Sequence, residues 1–314
     1  MYARENYLKI KDMIAKRKER AEAVADLKRA ELAARSPEIK EIDAELRGVG
    51  LQIFRAACAG EDMKPIRERN LYLSARRREL IVSLGLPEDY DAPDYTCKKC
   101  SDTGFINETK LCPCFKEALT LANVESSGMG KLIEKQSFEN FELSWYEGEA
   151  GQRAEFILRT AKAFAKNFGK SGDNLLLIGS TGTGKTHIST AIAKEVIARG
   201  FDVLYDSVQN IISDFEADKF KSGYSSQYEP KAEKYLECDL LIIDDLGTEF
   251  VNQFTVSCLY NLINTRKNRG LSTIISTNLT ADELASKYEG RISSRIIGEY
   301  TVLPFLGRDH RIYG

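Results

Sequence analysis

Leu175-Leu-Leu-Ile178, followed by Gly179-Ser-Thr-Gly-Thr-Gly-Lys185-Thr186, is the stretch that decides how this chain folds. Its second part satisfies the phosphate-cradling pattern GxxxxGK[ST] at every fixed position. Its first part is a short apolar run of the kind a buried parallel strand needs. His187 to Arg199 then carries Ile188, Ala191, Ile192, Glu195 and Val196 at helical spacing. The prediction is therefore strand, glycine loop, helix. Glycines let backbone N–H groups turn inward around phosphates, and the helix N-terminus adds a positive partial charge. Lys185 is expected to reach the β- and γ-phosphates, and the Thr186 hydroxyl to bind Mg²⁺. The expected nucleotide-binding set is Gly179, Ser180, Thr181, Gly182, Thr183, Gly184, Lys185, Thr186 and His187.

Downstream, Leu240-Leu-Ile-Ile243 delivers Asp244 and Asp245 to the carboxyl end of a second apolar strand, where ligands sit in parallel α/β sheets. Asp244 is expected to hold Mg²⁺ as a Walker B acid does. Asp245 stands where many such ATPases place a glutamate that orients the attacking water. Its side chain is one methylene shorter, which predicts weak hydrolysis without partners. Thr273 to Thr277 reads as a further strand, and Asn278 at its end suits a γ-phosphate or water sensor. Phe201–Tyr205 and Tyr300–Leu303 supply two more strands, and Thr255 to Arg269 a helix. This alternation predicts a doubly wound, three-layer α/β fold around a parallel sheet. Arg291 and Arg295 in GRISSR, and Arg308 and Arg311 in GRDHR, offer permanently charged planar donors for phosphate, one of which is expected to act in trans.

The 314 residues allow two domains. A net charge of −2 demands neither nucleic acid nor an anionic membrane, so a nucleic-acid site must be a local patch. No apolar run is long enough to span a membrane, and Met1 to Tyr7 has no apolar signal core, so the expected location is cytoplasmic. The seven cysteines should then be reduced. Residues 1–90 read as a helical region. The segment to Arg35 holds ten Lys/Arg against six Asp/Glu. Ser36-Pro37 caps a second helix, in which Ile39, Ile42, Leu46, Val49 and Ile53 repeat at coiled-coil-like spacing. A third helix runs from Lys64 to Leu84. A solvated spacer and a hairpin that docks on a partner both fit this region.

Residues 91–125 form a cysteine module, 126–136 a linker and 137–314 the ATPase. Cys97-Lys-Lys-Cys100 and Cys112-Pro-Cys114 present two close pairs that can complete one tetrahedral four-thiolate site, with Thr103-Gly104-Phe105 turning into a short hairpin. Structural Zn²⁺ fits a closed thiolate site best. A redox pair at Cys97 and Cys100 is the rival, weakened by the lack of a thioredoxin-like frame. Cys58, Cys238 and Cys258 stand singly and need only small-core roles.

Taken together, GSTGTGKT at 179–186, LLIIDDLG at 240–247, STNL at 276–279, GRISSRI at 290–296 and GRDHR at 307–311 resemble the motifs of helicase loaders of the DnaC/DnaI type. These are AAA+ ATPases, with IstB-type transposition ATPases as close relatives. SFENF at 137–141 and the upstream four-cysteine module resemble the loaders of Gram-positive bacteria. The resemblance covers roughly residues 95–314. It implies an AAA+ P-loop fold with ATP, Mg²⁺ and Zn²⁺ as ligands. It also implies Asn278 as sensor 1, Arg295 as arginine finger with Arg291 competing, and Arg311 as the sensor 2 arginine. The implied partners are the hexameric replicative helicase, reached through the N-terminal region, single-stranded DNA, and neighbouring copies of the ATPase module. Ser207 to Lys221 falls where such ATPases carry an extra helix that engages DNA, and Lys219, Phe220 and Lys221 combine charge with an aromatic face. Two alternatives stay open: an IstB-like transposition helper, and an ATP-switched adaptor with little hydrolysis.

Overall fold

Three helices open the chain: α1 (Arg4–Arg35), α2 (Pro37–Ala59) and α3 (Lys64–Ser83). In this computed structural model, residues 4–59, 62–107, 109–170, 172–221 and 230–309 are described. Ser36 breaks the first helix from the second as its chemistry predicts. Its Oγ accepts the Ile39 N–H at 3.3 Å, and Pro37 takes the first helical position. Leu32, Ile39 and Ile81 bury fully against one another, and Tyr90 and Leu86 of the following connector cover them. Beside them Arg77 donates to Asp43 and to the buried Asp91, each at 2.6 Å. The carboxylate of Asp91 thereby holds the guanidinium well above its ordinary pKa.

The chain divides into two compact units, Lys11–Phe115 and Met1–Ile10 with Lys116–Gly314. The first contains α1 from Lys11 onward, α2, α3 and a hairpin of β1 (Phe105–Ile106) and β2 (Lys110–Leu111), paired antiparallel. A helix α4 (Pro113–Ser126) then starts with proline at its first position, between Cys112 and Cys114.

The second unit adds α5 (Leu132–Lys135), a 3₁₀ turn at Leu143–Trp145 and α6 (Gly148–Asn167). Strands and helices then alternate: β3 (Leu175–Ile178), α7 (Lys185–Ala198), β4 (Val203–Ser207), α8 (Val208–Lys221), α9 (Glu233–Glu237), β5 (Leu240–Leu246), α10 (Gln253–Asn268), β6 (Ser272–Thr277), α11 (Ala281–Lys287), α12 (Glu289–Glu299) and β7 (Thr301–Pro304). All five strands run parallel in the order β4-β5-β6-β3-β7.

Alternation along the strands divides the core. Leu175, Leu177, Leu240, Ile242 and Ile274 pack with α6 and α7, while Leu176, Leu241, Ile243 and Ile275 pack with α8, α10, α11 and α12. Both faces are covered, so the strands are continuous apolar runs, each buried Leu or Ile contributing about 1.5–3 kcal/mol. The chain leaves β3 and returns three positions away as β4, with β5 and β6 filling the gap between them later. The loop after β3 therefore sits at a switch in winding direction, the place where open parallel sheets bind ligands.

Candidate functional site

The glycine loop between β3 and α7 owes its shape to residues that approach it closely. Gly184 enters α7 with φ +94°, and a Cβ there would lie 2.6 Å from the Tyr146 hydroxyl and 3.0 Å from the Phe141 ring. Gly182, at φ +74°, lies so near the Asp309 carboxylate that a Cβ would stand 1.7 Å from its Oδ1. Any side chain at either position would thus meet both backbone strain and a clash. Tyr146 donates its hydroxyl to the Thr183 carbonyl at 2.9 Å, and burial pushes its pKa up to about 12, which keeps the proton in place.

Lys185 is 6% exposed and folds across the loop. Its Nζ donates to the carbonyls of Gly179 at 2.6 Å and Ser180 at 2.7 Å, and to Asn278 Oδ1 at 2.8 Å. The predicted sensor residue and the predicted phosphate lysine are therefore direct partners, brought together because β3 and β6 are neighbours. His187 lies one turn away on α7. Its Nε2 faces the Ser137 carbonyl at 2.9 Å and Asn140 Oδ1 at 3.0 Å. Both are acceptors, so Nε2 must carry the proton. His187 thus straps the SFENF segment to α7.

Asp244 and Asp245 leave β5 at an irregularity in its pairing with β6. Asp245 takes φ +55°, unusual for a residue with a side chain, and the bulge turns the two carboxylates differently. Asp244 accepts hydroxyl hydrogen bonds from Tyr205 and Ser276. The Asp245 N–H donates back to Ser276 Oγ at 3.1 Å. Burial and the Asp244 charge push the Tyr205 phenol far above its ordinary range, so it remains a donor. Thr186 also faces the Tyr205 hydroxyl.

These groups share one cavity of about 670 Å³. Of the predicted nucleotide set, Thr181, Gly182, Gly184, Lys185, Thr186 and His187 line it, together with Asp244, Asp245 and Asn278. Gly179 and Ser180 act from behind through carbonyls held by Lys185, and Thr183 is fully buried. Arg295 lies apart on α12, where its guanidinium stacks 4.9 Å above the Tyr260 ring and Nη2 donates to the Tyr260 hydroxyl at 3.0 Å. Arg311 lies outside the described residues, as do the side chains of Arg291 and Lys221. Tyr205 and Ser276 were not predicted as site residues. The available signal was their polarity near the carboxyl ends of strands flanking and facing the Asp244 strand. Among the described residues no helix is long and apolar enough to cross a membrane.

In the other unit, Cys97, Cys100, Cys112 and Cys114 bring their sulfurs within 4.8 Å of one another. The Cys97–Cys112 and Cys100–Cys114 sulfurs are 3.7 and 3.6 Å apart. A tetrahedron with Zn–S bonds of about 2.3 Å has edges of about 3.8 Å, so the four thiols fit that ion. The turn is set by Asp102, 1% exposed, whose carboxylate accepts from the N–H groups of Thr96 and Cys97 and from Arg17. Gly104, at φ +79°, leaves room for the Phe115 ring, which a Cβ would approach to 2.5 Å.

The profile of the IstB-like ATP-binding protein family matches residues 122–294, more than half of the chain. The replicative helicase loader DnaC of Escherichia coli K12 is 27% identical over 170 residues, 54% of this chain and 66% of the loader, just under two thirds of the loader's length. The DnaC of Buchnera aphidicola subsp. Schizaphis graminum is 26% identical over 188 residues, covering 60% of this chain and 74% of that protein. A crystal structure of the DnaC helicase loader aligns with a TM-score of 0.48 and 24% identity, over 56% of this chain and 100% of that one.

Proposed function

The chain belongs to the IstB-like ATP-binding protein family, and from that premise we propose that it is an ATP-dependent loader of a replicative helicase onto single-stranded DNA. The observation that carries this reading is the single cavity uniting Lys185, Thr186, Asp244, Asp245 and Asn278. The similarity to the helicase loaders named above supports a loading task for this site.

In this reading the Gly179–Thr186 loop cradles the phosphates and Lys185 exchanges its loop carbonyls for phosphate oxygens. Thr186 and Asp244 would hold Mg²⁺, which neutralises charge developing on the β- and γ-oxygens. Tyr205 and Ser276 fix the orientation of the Asp244 carboxylate. Asp245 and Asn278 position the attacking water, and the short Asp245 side chain makes hydrolysis slow until a partner improves the alignment. Arg295 does not line its own chain's cavity, which supports its donation to the nucleotide of a neighbouring copy. Arg311 completes the site as sensor 2, and Arg291 remains the competing finger. Self-association of the ATPase modules follows from the shared site.

Single-stranded DNA would meet α8 and the start of α10. Phe220 and Phe250 are 70% and 85% exposed, and the Lys219 ammonium lies 4.7 Å from the Phe254 ring centre. Cations beside open aromatic faces suit a phosphate backbone with stackable bases. Residues 1–90 and the module at 91–125 would bind the helicase, with the ATPase at 137–314 beyond the 126–136 linker and the protein working in the cytoplasm.

The deciding experiment is co-purification of the full chain with the hexameric replicative helicase of its host, followed by transfer of that helicase to single-stranded DNA with and without ATP. Association and ATP-dependent transfer are expected, and absence of both would end the loader reading. Metal analysis tests the thiolate site separately. One zinc per chain is expected, lost in the Cys97→Ser/Cys100→Ser protein, and undiminished metal in that variant would refute the four-cysteine ligand set.

A further inference from the structure

The cavity that holds Lys185 is bordered by an acceptor that no described residue satisfies. Gln136 follows α5 directly, and its side chain lines the same cavity as Lys185. Its Oε1 is buried without a hydrogen-bond partner. Two other buried side-chain atoms share that condition among the described residues, Arg17 Nε and Thr190 Oγ1, and neither residue lines this cavity. Beyond the glycine loop, the segment 132–146 lines the cavity with Leu132, Phe141, Trp145 and Tyr146, apolar or aromatic, and with one charged residue, Glu142.

An orphaned buried acceptor is costly, and native proteins rarely keep one without a functional role, an ordered water or a bound ligand to relieve it. Phosphate oxygens are acceptors and cannot do so. The base can. Adenine presents its 6-amino group as a donor, whereas guanine presents the O6 acceptor at the same position. A lining rich in aromatic and apolar side chains with a few polar groups is also the usual composition of a site for a flat heterocycle.

We infer that Gln136 reads the base: its Oε1 accepts from the 6-amino group of adenine, and the site thereby selects adenine over guanine nucleotides. The inference rests on the reading of the cavity as a nucleotide site. It adds a specificity-determining residue outside the glycine loop and the ends of β5 and β6. It also gives the segment before SFENF a purpose. His187 straps Ser137 and Asn140 to α7, so the residue that reads the base is anchored through its immediate neighbour to the helix that holds the phosphates.

The test compares equilibrium binding of ATP, GTP and purine riboside triphosphate, which lacks the 6-amino group, to the full chain. The wild type should bind ATP about three- to tenfold tighter than the purine riboside analogue, the scale of one neutral hydrogen bond. Gln136→Met keeps length and removes the acceptor, so it should weaken ATP by that factor and leave the analogue unchanged. Gln136→Glu keeps an acceptor and should retain the discrimination. Equal binding of ATP and the analogue by the wild type overturns the inference without any variant. So does undiminished discrimination in Gln136→Met. A wild-type chain that binds none of the three nucleotides would instead overturn the nucleotide reading itself.

Discussion

Lys185→Ala is expected to lower ATP turnover by about 10²–10³-fold, the scale of removing one preorganised charge donor from a site whose catalysis is positioning and charge stabilisation. The side chain is buried and already aimed, held by the carbonyls of Gly179 and Ser180 and by Asn278 Oδ1. Asn278 lines the cavity, Ser180 is exposed and Gly179 is half-buried, so water can replace the ammonium, and the fold should lose no more than about 1 kcal/mol. The signature is therefore lost nucleotide affinity and phosphate release with a nearly unchanged denaturation midpoint. Asn278→Ala should cost less, because the charge remains and only one of its supports goes. Phosphate release by Lys185→Ala at the wild-type rate, with helicase and DNA present, would show that the cavity is not the site of hydrolysis.

The sheet was legible because its strands are apolar runs ending in polar residues, and a fully buried parallel strand has little freedom to look otherwise. Leu175–Ile178 and Ser272–Thr277 fall within a residue of their predicted places. The glycine loop was legible because phosphate chemistry constrains each of its positions. The β5 bulge was not. The run from Leu240 continues as strand through Leu246, and it is the pairing with β6 that shifts around Asp244 and Asp245, which local sequence does not encode. The sequence marks Tyr205 only as a strand residue, since its partnership with Asp244 depends on β4 pairing with β5, a neighbour distant in sequence. In the sequence alone Gln136 falls in a linker for the same reason. A residue beside a cavity is recognised only when the walls of that cavity, drawn from five segments of chain, are assembled.

The same limit hid the most consequential buried charge. Arg266 lies in the helix predicted over Thr255 to Arg269, where an arginine reads as a solvated charge. It is 1% exposed. Nη1 donates to the carbonyls of Tyr235 at 2.8 Å and Cys238 at 2.9 Å, Nη2 to Ser272 at 2.5 Å, and Nε to Thr273 Oγ1 at 3.0 Å. One guanidinium thus joins α10, the end of α9 and the start of β6. Its charge also favours ionisation of Asp202, although burial and Asp239 push that carboxyl up to about 6. Arg266→Ala leaves three carbonyls and a hydroxyl without their donor and opens a cavity, so it should destabilise the second unit by about 3–5 kcal/mol, a large part of the 5–15 kcal/mol typical of a whole domain. Arg266→Met separates the two causes. It restores most of the volume but none of the donors, and should recover only the cavity share. Arg266→Lys keeps the charge with a single donor group and should fall between. Urea midpoints at constant slope measure all three. A Met variant as stable as wild type would mean that packing alone fastens α9 to the sheet. The expected order, wild type above Lys above Met above Ala, would assign that fastening to the fork of donors. It holds in place the short helix that leads into β5 and so into Asp244.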